Sequence, residues 1–201
     1  MNWQDSIRTY IPRNEQEAGD QKQILRLFEI YDDLLERTNA FAHMTASAWV
    51  TDPSRTKILM AYHNLYDSWA WLGGHCDGDP DLLHTALKEV REESGLRHIR
   101  PLSEDIISLE ILTVDGHMKK GAWVSSHLHL NVTYLLEADP GEQLHHKDDE
   151  NKAVSWFDMD QAVQMSSEPW FREHVYTKLN GRLREFIRTE GDTGHRSDWL
   201  R

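Results

Sequence analysis

Apolar residues first recur at helical spacing near the N-terminus. In "DQKQILRLFEIYDDLLER", Ile24, Leu25, Phe28, Ile30, Tyr31, Leu34 and Leu35 follow the helical period, which predicts an amphipathic helix behind a polar arm containing Pro12. The period then changes. "MTASAWVTD" and "TKILMAYHN" are strand-like and are separated by "DPSR", a turn signal. "YDSWAWLGGHCDGDPD" predicts a short strand running into a long loop. Asp79 and Pro80 mark a helix start, with an acidic cap and a proline in the first turn. That helix runs from about Asp81 to Ser94 and stops at Gly95, a natural position for a left-handed residue.

"DIISLEILTV" and "SHLHLNVTYLLEA" predict further strands, with "DGHMKKG" as a polar connection between them. "DPGEQLHHKDDENK" is a polar loop and "AVSWF" a short strand. "DMDQAVQM" predicts a short helix opened by Asp158 or Asp160. "SEPWFREHVYTKLNGRLREFIRT" predicts a C-terminal helix with Ser167 as cap and Pro169 in its first turn, and Asn180-Gly181 as a point of interruption. The tail from Glu190 is polar and is expected to fray. No internal repeat is present. Strands alternating with helices predict an α/β or mixed α+β fold layered around a sheet.

Charge narrows the partners. The chain of 201 residues carries 22 basic and 34 acidic residues, a formal net charge of −12. Nucleic acid is a poor partner for such a chain, because affinity for it rests on basic contacts to phosphate. A small polyanion remains compatible if a cation bridges it. With 39% hydrophobic and 28% charged residues the chain can build a packed core. The one cysteine, Cys76, excludes an intrachain disulfide framework and fits a reducing compartment. No apolar run approaches the ~18 residues of a membrane span or forms a secretory leader. The expectation is a soluble, cytoplasmic protein that does not act on membranes.

The helix ending "ALKEVREESGL" carries the candidate chemistry. Leu83, Ala86, Leu87 and Val90 form an apolar stripe, and Glu89, Glu92 and Glu93 stand at i, i+3 and i+4 beside it. Like charges at that spacing repel, and the helix C-terminus disfavours anions by roughly 0.3–1 kcal/mol each when exposed. Lys88 and Arg91 offset part of that cost. A solvated acidic helix end accounts for these residues taken alone. A hard divalent cation is the alternative, since Mg²⁺ takes oxygen ligands and is commonly shared with substrate phosphates, but taken alone these residues favour the solvated helix end. Without metal, neighbouring carboxylates should raise one another's pKa values.

The residues before the helix distinguish the two. "WAWLGGHCDGDPDLLHTALKEVREESGL" resembles the box of the Nudix hydrolases: Gly, five residues, Glu, seven residues, then Arg-Glu-apolar-x-Glu-Glu-x-Gly-apolar. Gly74, Glu89, Val90, Glu92, Glu93, Gly95 and Leu96 take their places in that pattern. Two positions depart from it. Pro80 stands where the first box glutamate belongs, flanked by Asp79 and Asp81, and Lys88 stands where the arginine belongs. Lys cannot make the planar two-pronged contact of Arg, so the family's brace between loop and helix is altered. The resemblance covers about Phe41 to Met165 and includes "ENKAVSWFDMDQA".

The resemblance implies a Nudix-like α/β/α sandwich with a mixed sheet. It divides the chain into an N-terminal helical extension (1–40), a Nudix domain (41–189) and a flexible tail (190–201). It implies hydrolysis of a pyrophosphate bond in a nucleoside diphosphate linked to another moiety, or in a related small-molecule diphosphate. Mg²⁺ or Mn²⁺ is the implied cofactor, with Glu89, Glu92 and Glu93 as its ligands and a backbone carbonyl at Gly73 or Gly74 as a further one. Gly73 and Gly74 let the loop backbone approach metal or phosphate. The general base is a box glutamate, Glu92 or Glu93, or a carboxylate on a distant loop. Among Asp148, Asp149 and Glu150 we select Glu150, against the alternative of a solvated acidic loop.

His127 and His129 are two apart and point to one face of their strand, and His75 follows Gly74. They are candidates for phosphate or base contact, or else surface and core histidines. Trp69 and Trp71 are core or pocket wall. Cys76 lacks the His and Asn/Asp partners of a nucleophile. The N-terminal helix is a candidate cover for the pocket or a candidate homodimer interface.

Three rival readings were weighed. An isopentenyl diphosphate isomerase needs a catalytic Cys context that does not surround Cys76. A di-iron helical bundle needs Glu-x-x-His on two helices, and the one instance, Glu142 to His145, falls in a loop. A non-catalytic Nudix-fold nucleotide-binding or sensor domain is favoured by the altered brace and disfavoured by the intact glutamates.

Overall fold

The computed structural model describes residues 2–119, 121–147 and 151–193. Its centre is a mixed sheet built on two long strands, β1 (Ala42–Thr51) and β9 (His127–Ala138), which lie parallel with His43 opposite His129 and Thr51 opposite Glu137. Every residue of β1 is buried, so both faces of the sheet are covered at this strand. β2 (Lys57–His63) and β10 (Asn151–Asp158) extend the sheet beyond β1, and β3 (Ser68–Ala70) pairs with β2. β4 (Leu72–His75) pairs antiparallel with the first half of β1. β5 (Ile99–Pro101) and β6 (Ser108–Val114) pair with the other edge of β9.

Helices cover the two faces. On β1, residues 44, 46, 48 and 50 point one way and 43, 45, 47, 49 and 51 the other. Helix α3 (Leu82–Ser94) packs on the first set, its Ala86 and Val90 sharing one core with Met44, Ala46 and Ala48. On the opposite face Trp49 and Leu135 share a second core with Val175, Tyr176, Leu179 and Leu183 of the C-terminal helical segment. That segment comprises α4 (Met159–Met165), a short turn α5 (Pro169–Phe171), a π-helical turn (Arg172–Tyr176) and α6 (Thr177–Thr193). Trp69 and Trp71 pack against this second core, Trp69 edge-on to Phe157 and Trp71 edge-on to Tyr176.

Several elements differ from the expectation. The N-terminal helix, α2, spans Glu15–Leu27, earlier than the apolar period suggests, and a further helix α1 (Trp3–Thr9) precedes it in the supposed polar arm. Asn14 caps α2 by accepting the Glu17 N–H, and Asn2 caps α1 in the same way. Beyond Phe28 the chain turns, and Leu34 is buried there by tertiary packing rather than helical periodicity. Asn180-Gly181 does not interrupt α6. Asn180 is buried, accepts the Trp49 indole N–H at 3.2 Å and donates to the Met159 carbonyl at 2.7 Å. The connection "DGHMKKG" contains a small hairpin, β7 (His117–Lys119) with β8 (Ala122–Val124). The helix after the glycine loop is capped by Asp81, which accepts the His84 N–H at 2.9 Å, so the cap lies two residues later than Asp79. Glu150 and residues 194–201 lie outside the described residues.

The N-terminal helices belong to the same packed unit as the sheet. Ile7, Ile24 and Leu34 join the α3-side core. Glu17 is fully buried, accepts the Arg13 N–H, and lies 3.1 Å from Arg182 and 3.2 Å from Lys178 of α6. Among the described residues no helix is long and apolar enough to cross a membrane.

Candidate active site

The glycine loop and α3 meet through backbone contacts that only small residues permit. The Gly73 N–H donates to Glu93 Oε2 at 3.1 Å. At Gly74 the two elements touch more closely: a Cβ there would stand 2.5 Å from the Glu89 carboxyl carbon. The loop then crosses to the helix through residues 76–81. Cys76 N–H bonds to the Met44 carbonyl at 3.2 Å and Gly78 N–H to the Leu35 carbonyl at 3.0 Å. Gly78 has φ +86°, which favours glycine. Arg37 pairs with Asp77, and His84 lies 2.7 Å from Asp79. These contacts brace the loop where Pro80 and Lys88 depart from the box, and sequence alone did not reveal the contribution of residues 35–37.

The three glutamates are not equivalent. Glu89 and Glu93 fall on the buried stripe of α3 with Ala86 and Val90, whereas Glu92 is exposed. Burial raises the Glu89 pKa, the adjacent Lys88 opposing this and Glu92 adding to it. Lys88 Nζ lies 3.3 Å from Glu89 and 4.0 Å from Glu92, and Lys147 lies 3.7 Å from Glu92. Asn151, the first residue of β10, donates to Glu93 Oε1 at 3.4 Å, while its own Oδ1 is buried without a hydrogen-bond partner among the described residues. An oxygen-rich, partly desolvated corner bounded by backbone glycines suits a hard cation. Asn151 and Lys147 were not singled out from the sequence, since neither carries a local signal.

A second group gathers on the opposite face of the sheet. His43, His75, His127 and His129 come from β1, β4 and β9, and their rings stand 4.9–5.1 Å apart in most pairs. Burial pushes His129 down to about 2 and His75 down to about 3, with cationic neighbours, Arg37 at His75 among them, adding to this. His43 is lowered for the same first reason. His75 and His129 are therefore neutral at pH 7 and present lone pairs rather than charge. Next along the same face, Asn131 Oδ1 accepts from Thr45 and Ser47 at 2.9 and 2.8 Å. The alternation His127, His129, Asn131, Thr133 was a legible signal of this polar face, but His43 had none until its parallel register with β9 was known. Cys76 is buried and its thiol is pushed up to about 12, chiefly by desolvation, which removes it as a nucleophile.

A family model for the NUDIX domain matches residues 42–179. The chain belongs to the NUDIX family. Its mixed sheet with α3 after the glycine loop is shared with solved structures at low identity. A C. elegans Ap4A hydrolase in binary complex aligns at 16% identity and TM-score 0.51, over 74% of this chain and 98% of that one. A NUDIX-family hydrolase from Clostridium perfringens aligns at 17% identity and TM-score 0.50, over 71% and 97%. A Nudix hydrolase from M. smegmatis aligns at 16% and TM-score 0.50, over 74% and 88%. No curated protein matches. In the terms of the NUDIX box, Gly74, Glu89, Glu92 and Glu93 occupy their places in the sequence, and the Asp79–His84 and Arg37–Asp77 pairs lie in or against the same loop.

Proposed function

We propose that the chain is a divalent-metal-dependent pyrophosphohydrolase acting on a nucleoside diphosphate linked to another moiety, or on a related diphosphate. The observation that carries this reading is the seating of Glu89 and Glu93, buried against the backbone of Gly74 and Gly73, with Glu92 one turn away on the exposed side. Glu89, Glu92 and Glu93 would hold Mg²⁺ or Mn²⁺. Such a cation neutralises phosphate oxygens and lowers the pKa of a bound water. The protein's own part is positioning and exclusion of water. The Gly73 N–H and Asn151 orient Glu93, and Gly74 leaves room for Glu89. Lys88 and Lys147 stand near enough to meet an anionic substrate once the carboxylates are engaged. Glu150, Glu92 and Glu93 are the candidate general bases, and Glu150 precedes Asn151, which touches the site. His75 and His129 are held neutral by burial, so with His127 they are candidates for hydrogen-bond contact to the substrate rather than for charge neutralisation.

The test is turnover. Purified full-length chain with Mg²⁺ or Mn²⁺ should release a nucleoside monophosphate from at least one member of a panel of nucleotide sugars, ADP-ribose, dinucleoside polyphosphates and coenzyme A. Glu93→Gln keeps an oxygen to accept the Gly73 N–H, so it should fold normally while activity falls by about 10²-fold or more, the scale of a misplaced reactive group. Full activity in that variant would overturn the metal assignment. Tight nucleotide binding without turnover under every metal condition would favour the binding-domain alternative.

A further inference from the structure

We propose that His43, His75, His127 and His129 form a site for one borderline divalent cation of the Zn²⁺ class, separate from the carboxylates of α3. The proposal does not rest on the hydrolase reading. One ring nitrogen from each of His43, His75 and His129 lies within 4.8 Å of the others. His127 Nε2 stands 3.2 Å from His129 Nε2. In a tetrahedral site with Zn–N near 2.0–2.1 Å, ligand nitrogens are about 3.3–3.4 Å apart. The His127–His129 pair, hydrogen-bonded at 3.2 Å, is close to that spacing. The nitrogens of His43, His75 and His129 lie within 4.8 Å of one another and would draw closer on binding.

Hydrogen bonds fix which nitrogens are available. A carbonyl can only accept, so the His43 ring nitrogen 3.0 Å from the Asn39 carbonyl must carry a proton, as must the His127 nitrogen 2.8 Å from the Ser125 carbonyl. Both are Nδ1, which leaves Nε2 as the nitrogen of each ring that can offer a lone pair to an ion. Backbone carbonyls holding Nδ1–H in this way are the usual outer support of metal-bound histidine. His43 Nε2 is buried with no hydrogen-bond partner among the described residues, on a residue only 4% exposed. An orphaned buried acceptor of this kind is costly unless something binds it.

Donor chemistry decides the class of ion. Imidazole-only sites suit Zn²⁺, Co²⁺, Ni²⁺ or Cu²⁺, whereas Mg²⁺ prefers oxygen. The site is also distinct in place. A Cβ on Gly74 would point at Glu89, so the side chain of the next strand residue, His75, points to the other face of β4. A closed four-nitrogen site has no open position for chemistry and acts as a structural tie. Here it would join the start of β1, the end of β4 and the start of β9, and so brace the strand that carries Gly73 and Gly74.

The experiment uses the full-length chain, stripped with chelator and titrated with Zn²⁺ and with Co²⁺ by calorimetry and visible absorption. With excess Mg²⁺ present to occupy the carboxylates of α3, one tightly bound ion per chain and the intense visible bands of tetrahedral Co²⁺ are expected. His43→Asn and His129→Asn should each weaken binding by more than about 100-fold, beyond the 10–100-fold typical of outer supports. Glu89→Gln and Glu93→Gln should leave it within about twofold, as for independent sites. The ring ¹⁵N resonances of the four histidines in the unmodified chain give a readout that no variant's misfolding can obscure, and all four should shift on adding Zn²⁺. Absence of stoichiometric binding, unshifted histidine resonances, an octahedral Co²⁺ spectrum, or loss in the glutamate variants with retention in the histidine variants would each overturn the proposal. Zinc binding and pyrophosphate hydrolysis are read separately, so either can fail without the other.

Discussion

Adjacent glycines in the loop do different work, and the difference is visible only at the level of single atoms. At Gly74 an added Cβ meets the far end of the Glu89 side chain, which can swing away. Gly74→Ala should therefore fold with a stability change under about 1 kcal/mol, while displacing a candidate metal ligand and raising the Mg²⁺ concentration needed for half-maximal turnover. At Gly73 the added Cβ stands 2.6 Å from the Ser47 Cα and 2.7 Å from the Ala46 carbonyl oxygen, where nothing flexible can yield. Gly73→Ala should destabilise the fold by about 1–3 kcal/mol, the scale of overpacking, in urea unfolding. Equal effects of the two substitutions on stability would contradict this contrast. The resemblance to the box identified Gly74 by spacing, but the separate constraint on Gly73 comes from β1, whose pairing with β4 is tertiary.

At the scale of elements, the buried Asn180 holds α6 to the sheet alongside apolar packing. Asn180 joins the Trp49 indole on β1 to the carbonyl of Met159 at the start of α4. Asn180→Ala leaves a buried N–H and a buried carbonyl unsatisfied, and should cost about 1–3 kcal/mol by chemical denaturation. A loss no larger than that of a surface substitution would mean that water replaces both bonds. Asn-Gly is a common break signal in sequence. Here it is overridden because Asn180 has two tertiary partners and Gly181 has open space around it. The N-terminal helix shows the reverse case. Its apolar period continues past Phe28, but the chain turns there, burying Leu34 and leaving Ile30 exposed, and the caps at Asn2 and Asn14 set the helix starts instead.

Across the whole molecule, the N-terminal helices and the C-terminal helix are joined by buried charge. Desolvation alone would raise the Glu17 pKa, but the Arg13 N–H, Lys178 and Arg182 together hold it below its ordinary value. A carboxylate whose folded pKa is depressed contributes stability above its unfolded pKa and loses it as pH falls through the folded one. Thermal stability should therefore decline as pH is lowered below about 4.5, the ordinary value for Glu. Glu17→Gln should flatten that acid limb. At neutral pH it should cost about 3–5 kcal/mol, because Arg182 would remain buried without its counter-ion, while Lys178 keeps Glu110 at 2.8 Å. Melting curves between about pH 7 and about pH 3 test both statements, and an unchanged acid limb in the variant would show that other carboxylates dominate.

What the chain's own pattern determined is what short-range periodicity can encode. The 3.6-residue repeat through Ala86 and Val90, the glycine at 95 with φ +74° and the spacing from Gly74 to Leu96 specify a loop, a helix and three carboxylates on adjacent positions. The strands from 42, 57 and 127 are legible for the same reason. Tertiary structure decided which of those carboxylates are buried, because that depends on how α3 sits on β1 and β4. It brought Asn151 to Glu93 across 58 residues of chain and Leu35 to Gly78. It also gathered four histidines, since the parallel register of β1 with β9 places His43 beside His129. Such contacts arise from the alignment of distant strands. No local pattern of hydrophobic and polar residues carries that alignment.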